Sequence, residues 1–136
     1  MIVVAAAGNA GAGTIVFPAR FGDVVGVAAT DNNGFLAPFS NAGGKVSLVA
    51  PGVDLIGAMP LSVTAIGTAR WSGTSFATPL VAGSVALVRA ALPGLNAGKI
   101  IERLRDTAQP VDAQNPANAS LLGDGLPRPA DAIDTP

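Results

Sequence analysis

The sequence predicts an α/β fold built on a mainly parallel sheet with helices on both faces, and three observations carry that expectation. Ile2 to Ala7 and Val24 to Ala29 are continuously apolar rather than alternating, as strands buried on both faces are. Hydrophobic residues make up 49% of the 136 residues and charged residues 12%, a balance suited to a covered sheet. A third apolar stretch, Leu80 to Leu92, is rich in Ala, Val and Leu and reads as a buried helix. It is too short for a membrane span and is interrupted by Gly83, Ser84 and Arg89.

Taken in order, Ile2 to Ala7 opens β-branched and reads as a buried strand that ends in Gly8-Asn9-Ala10-Gly11-Ala12-Gly13. A phosphate-binding glycine loop is the rival reading of that ending. Its Gly-x-Gly-x-x-Gly spacing is not completed, and Thr14 to Pro18 is β-branched and proline-bound instead of opening a helix. Asp23 to Thr30 reads as a second buried strand, left through the turn Asp31-Asn32-Asn33-Gly34. Ser40 and Asn41 read as turn residues before a strand over Val46 to Val49, and Leu55 to Trp71 as a mixture of short strand and loop. Trp71 is expected to pack beside the serine turn that follows it, as hydrophobic support.

Ser72-Gly73-Thr74-Ser75 then enters the apolar helix, with Thr74 or Ser72 as the expected cap and Pro79 expected in the first turn, where it costs no intrahelical bond. Pro93-Gly94-Leu95 closes that helix, and Asn96 is placed to cap a second, Ala97 to about Thr107. In it Ile100, Ile101 and Leu104 form an apolar stripe with Lys99, Glu102, Arg103 and Arg105 outward. Gln109 to Ser120 reads as loop.

Net charge is −1 and the cations are scattered, so no basic patch speaks for nucleic acid. With Cys at 0, disulfides and thiolate metal sites are excluded, and no signal-peptide pattern is visible at the N-terminus. Ser75 stands at the positive end of a helix dipole with its N–H beside its hydroxyl. That placement suits an acyl-transfer nucleophile and equally an ordinary helix-start serine. Asn9 by itself is equally a turn residue. His is 0, so no imidazole in this chain can take a serine proton.

Gly73-Thr74-Ser75-Phe76-Ala77-Thr78-Pro79, followed by Val81-Ala82-Gly83, resembles the nucleophile motif of the subtilisin-like serine proteases, the subtilases, with Leu80 where many members have a His. Val4-Ala5-Ala6-Ala7-Gly8-Asn9-Ala10-Gly11 is similar to their oxyanion-hole segment, and Phe39-Ser40 through Ala50-Pro51-Gly52 to their framework between the two motifs. Phe17-Pro18 resembles a pocket-wall segment in which the bond before the proline is often cis. Gly123 to Ile133 resembles the closing glycine turn, strand and short helix of such a domain.

The resemblance implies a doubly wound fold that is incomplete: residues 1–136 would be the C-terminal part of a peptidase catalytic domain, without the upstream part that carries the triad Asp and His. It implies Ser75 as nucleophile of an endopeptidase, Asn9 as oxyanion donor, and Ala6, Ala7, Gly8, Val16 and Thr74 as pocket residues, Val16 narrowing the pocket toward modest apolar side chains. Asp54 lies on the wrong side of Asn9 for the family's acid and reads as a solvated loop carboxylate. No cofactor is implied for the chemistry; structural calcium belongs to many complete family domains, and no acidic loop here identifies a site. The implied partners are a peptide or protein substrate and the missing N-terminal half, in cis or from another chain. Secretion or an extracytoplasmic place is implied for the parent protein. The chain alone is expected to be inactive, with an inactive relic or a complementing module as the alternatives.

Overall fold

A computed structural model describes residues 1–134; the last two residues of the expected 1–136 domain lie outside the described residues. The chain runs through strands β1 (Val3–Ala6), β2 (Val24–Thr30), β3 (Leu48–Pro51), β4 (Leu55–Ala58) and β5 (Thr68–Trp71), then helices α1 (Thr74–Ala91), α2 (Ala97–Asp106) and α3 (Pro129–Asp134). β1, β2 and β3 form a parallel sheet in that order, with Val3 opposite Val24 and Val27 opposite Leu48. β4 and β5 pair as a separate antiparallel hairpin, which gives the Leu55 to Trp71 stretch its order.

The apolar runs are continuous because both faces of the parallel sheet are buried. On one face Val25, Val27 and Ala29 of β2 and Leu48 and Ala50 of β3 meet Ala77, Val81, Val85 and Val88 of α1, backed by Ile100 and Leu104 of α2 and Ala132 of α3. On the other, Ala5, Ala28 and Val49 meet side chains from connecting segments, among them Ile15, Ala42, Val111 and Leu122. The α/β class therefore holds, with helices on one face and loops on the other among the described residues. Asn96 caps α2 as expected, its Oδ1 accepting from the Lys99 N–H at 3.0 Å.

Several local expectations are corrected. β1 is an edge strand with Val3 38% exposed, because no strand pairs with its outer side among the described residues. β3 lies later than Val46 to Val49, because the Val46 N–H closes a turn onto the Gly43 carbonyl and the ladder continues to Pro51, where a missing N–H is harmless at a strand end. The Gly123 to Leu126 segment makes a single bridge, Gln109 to Leu126, rather than a strand.

α1 begins at Thr74 and is buried on one side only: Leu80 and Leu87 are 45% and 57% exposed. Pro79 consequently lies in the second turn, where its missing N–H leaves the Ser75 carbonyl without the usual helical partner. Ser40 and Asn41, expected as turn residues, are buried, the Ser40 N–H closing a turn onto the Ala37 carbonyl at 2.8 Å, and Asn115, within the expected loop, is buried too. Asn115 accepts from the Leu36 N–H at 2.7 Å and donates to the Gly34 and Val111 carbonyls, pinning two connecting segments together.

The two sides of α1 should respond oppositely to truncation. Val88→Ala, at 0% exposure, is expected to cost about 2 kcal/mol, and the neighbouring Leu87→Ala less than about 0.5 kcal/mol, in urea unfolding of the chain. Equal losses would mean that the outer face of α1 is covered.

Candidate active site

Parallel strands deliver their carboxyl ends to one edge of a sheet, and crevices form there. The loop after β1 carries Gly8 and Asn9; the segment after β3 carries Gly52. The N-terminus of α1 arrives between them. The Gly73 N–H donates to the Gly52 carbonyl at 2.8 Å, and the Gly52 N–H donates to the Thr30 carbonyl at the end of β2 at 2.8 Å. A side chain at position 52 would collide with the Ala29 methyl and the Gly73 carbonyl, so a glycine is what lets α1 start this close to the sheet.

The helix start differs from the sequence expectation. The N-cap residue is Gly73 with φ 155° and ψ 157°, a region open to glycine almost alone, and it has no side chain to cap with. Ser72 turns away, its Oγ accepting from the Asp54 N–H at 2.9 Å. Thr74 is the first helical residue, and its N–H donates to Asn9 Oδ1 at 2.9 Å. The cap is thus supplied from the loop after β1.

Thr74 and Asn9 are joined twice, because the Thr74 hydroxyl also donates to Asn9 Oδ1, at 2.8 Å, while accepting from the Gly8 N–H at 3.3 Å. With two donors on its carbonyl oxygen, the Asn9 amide has only one sensible orientation. Its Nδ2 lies beside Gly73, 3.4 Å from where a Cβ would stand there, on an exposed residue.

Ser75 is exposed at this same mouth. Among the described residues neither its N–H nor its hydroxyl has a hydrogen-bond partner, while the next two amides, Phe76 and Ala77, turn in to the Gly73 carbonyl at 3.0 and 3.4 Å. Two unengaged donor groups, the Ser75 N–H and the Asn9 Nδ2, therefore share one helix N-terminus, the end that favours developing negative charge. Trp71 stacks on Phe76 with ring centroids 5.9 Å apart, which fixes the approach from β5.

The expected pocket residues divide. Gly8, with φ 112°, sits against Val16, whose Cγ1 would be 3.0 Å from a Cβ at position 8; Val16 is 45% exposed, and its N–H donates to the Ala7 carbonyl at 3.1 Å. Ala6 is half-buried beside them. Ala7 and Thr74 are both at 0% exposure and present no surface to a ligand; Thr74 serves Asn9 instead. Phe17–Pro18 is cis, and Phe17 and Phe21 pack at 4.8 Å between centroids next to Val16 in the chain. Asp54 is exposed in the loop after β3, with its N–H on Ser72. No group of three or more carboxylate, imidazole or thiol side chains gathers to hold a metal among the described residues.

Asn41 reads from the sequence as a turn residue, and no local sign shows what it binds, since its partners lie in the loop after β1. At 1% exposure its Oδ1 accepts from the Ala10 and Ala12 N–H groups at 2.9 and 3.1 Å, and its Nδ2 donates to the Ala7 and Thr14 carbonyls at 3.2 and 2.8 Å.

The family model described as "Subtilase family" matches residues 1–125. Alkaline elastase YaB of Bacillus sp. (strain YaB) is 41% identical over 126 residues, covering 93% of this chain and 31% of that protein. Subtilisin Savinase of Lederbergia lenta is also 41% identical, over 93% of this chain and 44% of its own length. Among solved structures, the prenylagaramide maturation protease PagA matches with a TM-score of 0.84 and 34% identity over 98% of this chain and 50% of that one. The patellamide maturation protease PatA matches at 0.83 and 35%, again over half of its length. The chain spans 31% to 50% of the length of these relatives.

Removing one hydroxyl tests the Thr74 clasp. Thr74→Val keeps the shape but strands the Gly8 N–H and halves the donors on Asn9, for an expected loss of about 1–3 kcal/mol. Thr74→Ser should lose markedly less. Amide exchange at Gly8 should accelerate in the valine variant and stay near wild type in the serine variant.

Proposed function

The chain belongs to the subtilase family, and from that premise we propose that it is the nucleophile-bearing half of a serine endopeptidase domain. The observation that carries the reading is the pairing of an exposed Ser75 with Asn9, whose amide is held by Thr74 so that its N–H groups remain unengaged. In the completed domain a base supplied by residues outside this chain takes the Ser75 proton as Oγ attacks the peptide carbonyl. The carbonyl oxygen gains negative charge as the tetrahedral centre forms, and the Ser75 N–H and Asn9 Nδ2 donate to it. Collapse of that centre breaks the C–N bond, the amine leaves with the proton, and water hydrolyses the acyl-enzyme.

Ala6, Gly8 and Val16 form the wall against which the substrate side chain before the scissile bond rests, with Val16 restricting it to modest apolar groups. The substrate is a peptide or protein, no cofactor enters the chemistry, and the parent protein works outside the cytoplasm, as is usual for the family. The alternative, a non-catalytic relic or a module that acts by docking, draws support from the free edge of β1 and the exposed Leu80 and Leu87 on α1. Both features equally suit a peptidase domain in which an N-terminal half bearing the Asp and His covers them, in cis or as a second chain.

A fluorophosphonate probe separates these readings. The chain alone is expected to label at Ser75 far more slowly than a working serine protease, because its sequence contains no imidazole to take the proton. Supplying the Asp- and His-bearing half should restore labelling and peptide turnover, both lost in Ser75→Ala. In the restored domain Asn9→Ala is expected to lower kcat on the order of a hundredfold to a thousandfold. Rapid labelling of the chain alone would refute the division of labour, and no Ser75-dependent turnover after completion would refute the peptidase reading itself.

A further inference from the structure

We infer that Asn41 is a positioning residue for the oxyanion site: it sets the loop after β1 so that Asn9 meets Thr74. This rests on the proposed role of Asn9. A buried amide side chain offers two acceptor sites and two donors, and Asn41 uses all four on the backbone of one loop. Its partners bracket Asn9: the Ala7 carbonyl precedes it, and the Ala10 and Ala12 amides follow. Its own backbone N–H donates to the Gly8 carbonyl at 2.9 Å.

From Gly8 the path continues without a gap, since the Gly8 N–H donates to Thr74 Oγ1 and that hydroxyl donates to Asn9 Oδ1. Gly8 is what allows the approach: a Cβ there would overlap Asn41 Nδ2, and the φ of 112° disfavours any other residue. The loop contains three glycines, at 8, 11 and 13, so its intrinsic conformational freedom is large and has to be removed by contacts. Asn41 supplies four of these, from a residue with 1% of its surface exposed. Its hydrogen bonds go to neither Ser75 nor Asn9 Nδ2, so its effect on chemistry runs through Asn9.

The test uses Asn41→Ser, which keeps a small hydrogen-bonding group, and Asn41→Asp, which keeps the shape but faces the Ala7 and Thr14 carbonyls with oxygen. In the full chain, hydrogen exchange at Thr74, whose N–H is bonded to Asn9 rather than to Asn41, is expected to accelerate about tenfold or more along with Ala10 and Ala12. Acceleration at Ala10 and Ala12 alone would mean a local structural role and overturn the proposal.

In the domain completed by its acid and base, both variants should lower kcat roughly ten- to a hundredfold, less than loss of Asn9 itself, with KM within about twofold. In an Asn9→Ala background the same substitutions should then change kcat by less than about twofold, because the group they position is gone. A full kcat loss persisting in that background would overturn the inference, as would loss of cooperative unfolding in both variants, which would make Asn41 a folding requirement instead. A completed domain without Ser75-dependent turnover would sink the proposed function, and the Thr74 exchange result would still decide whether Asn41 positions Asn9.

Discussion

The carbonyl oxygen of Asn9 accepts both donors of Thr74, 65 residues away, and the candidate site depends on that clasp. A helix start normally caps itself with a side chain. Here the N-cap position must be glycine, because its φ of 155° excludes a Cβ, so no side-chain cap is available at that position. The free Thr74 amide has to find its acceptor elsewhere, and Asn9 provides it. One bond thereby satisfies the helix, orients the Asn9 amide and fixes the distance between two distant segments.

The sheet topology makes this meeting a matter of geometry rather than chance. β1 and β3 flank β2 in parallel, so the chain leaves all three strands on the same edge. Gly52 then ties β2 to the turn before α1, through the Thr30 carbonyl on one side and the Gly73 N–H on the other. Small residues are needed wherever backbones approach: Ala29, Gly52, Gly73 and Ala77 meet in one contact region. Larger side chains there would lift α1 off the sheet and carry Ser75 away from Asn9.

The α/β class was legible because it is written in local composition: continuous apolar runs at β2 and a polar cap at Asn96 each report their own segment. Ser75 and Asn9 were singled out by motif resemblance, which reaches beyond local physics, and the fold brings both to the start of α1. What sequence could not show was anything that depends on a partner distant in the chain. Asn41 and Ser40 look like turn residues until Ala7, Ala10 and Ala29 are brought against them, where they become buried and bonded. Thr74 looks like a cap or a pocket wall because its exposure is decided by the first loop. α1 looks buried all round because its outer residues, Leu80 and Leu87, are apolar, and composition alone does not say whether a covering layer is present in the same chain.

That last mismatch bears on how the proposed chemistry is divided. The contacts that orient Asn9 and the start of α1 come from the loop after β1, from Asn41 and from Thr74, all inside this chain. They are mostly hydrogen bonds between backbone and buried side chains, which hold a geometry without needing the outer face of α1 or the free edge of β1. The two surfaces left open, by contrast, are apolar or unpaired, and those are the features a further layer would satisfy. On the proposed reading, stabilisation of the oxyanion is therefore prepared by residues 7–14, 41 and 73–75, whereas removal of the serine proton waits on whatever covers those surfaces. The two functions of one active site would thus be separable along the chain, because one is built from internal hydrogen bonds and the other requires an imidazole that the sequence does not contain.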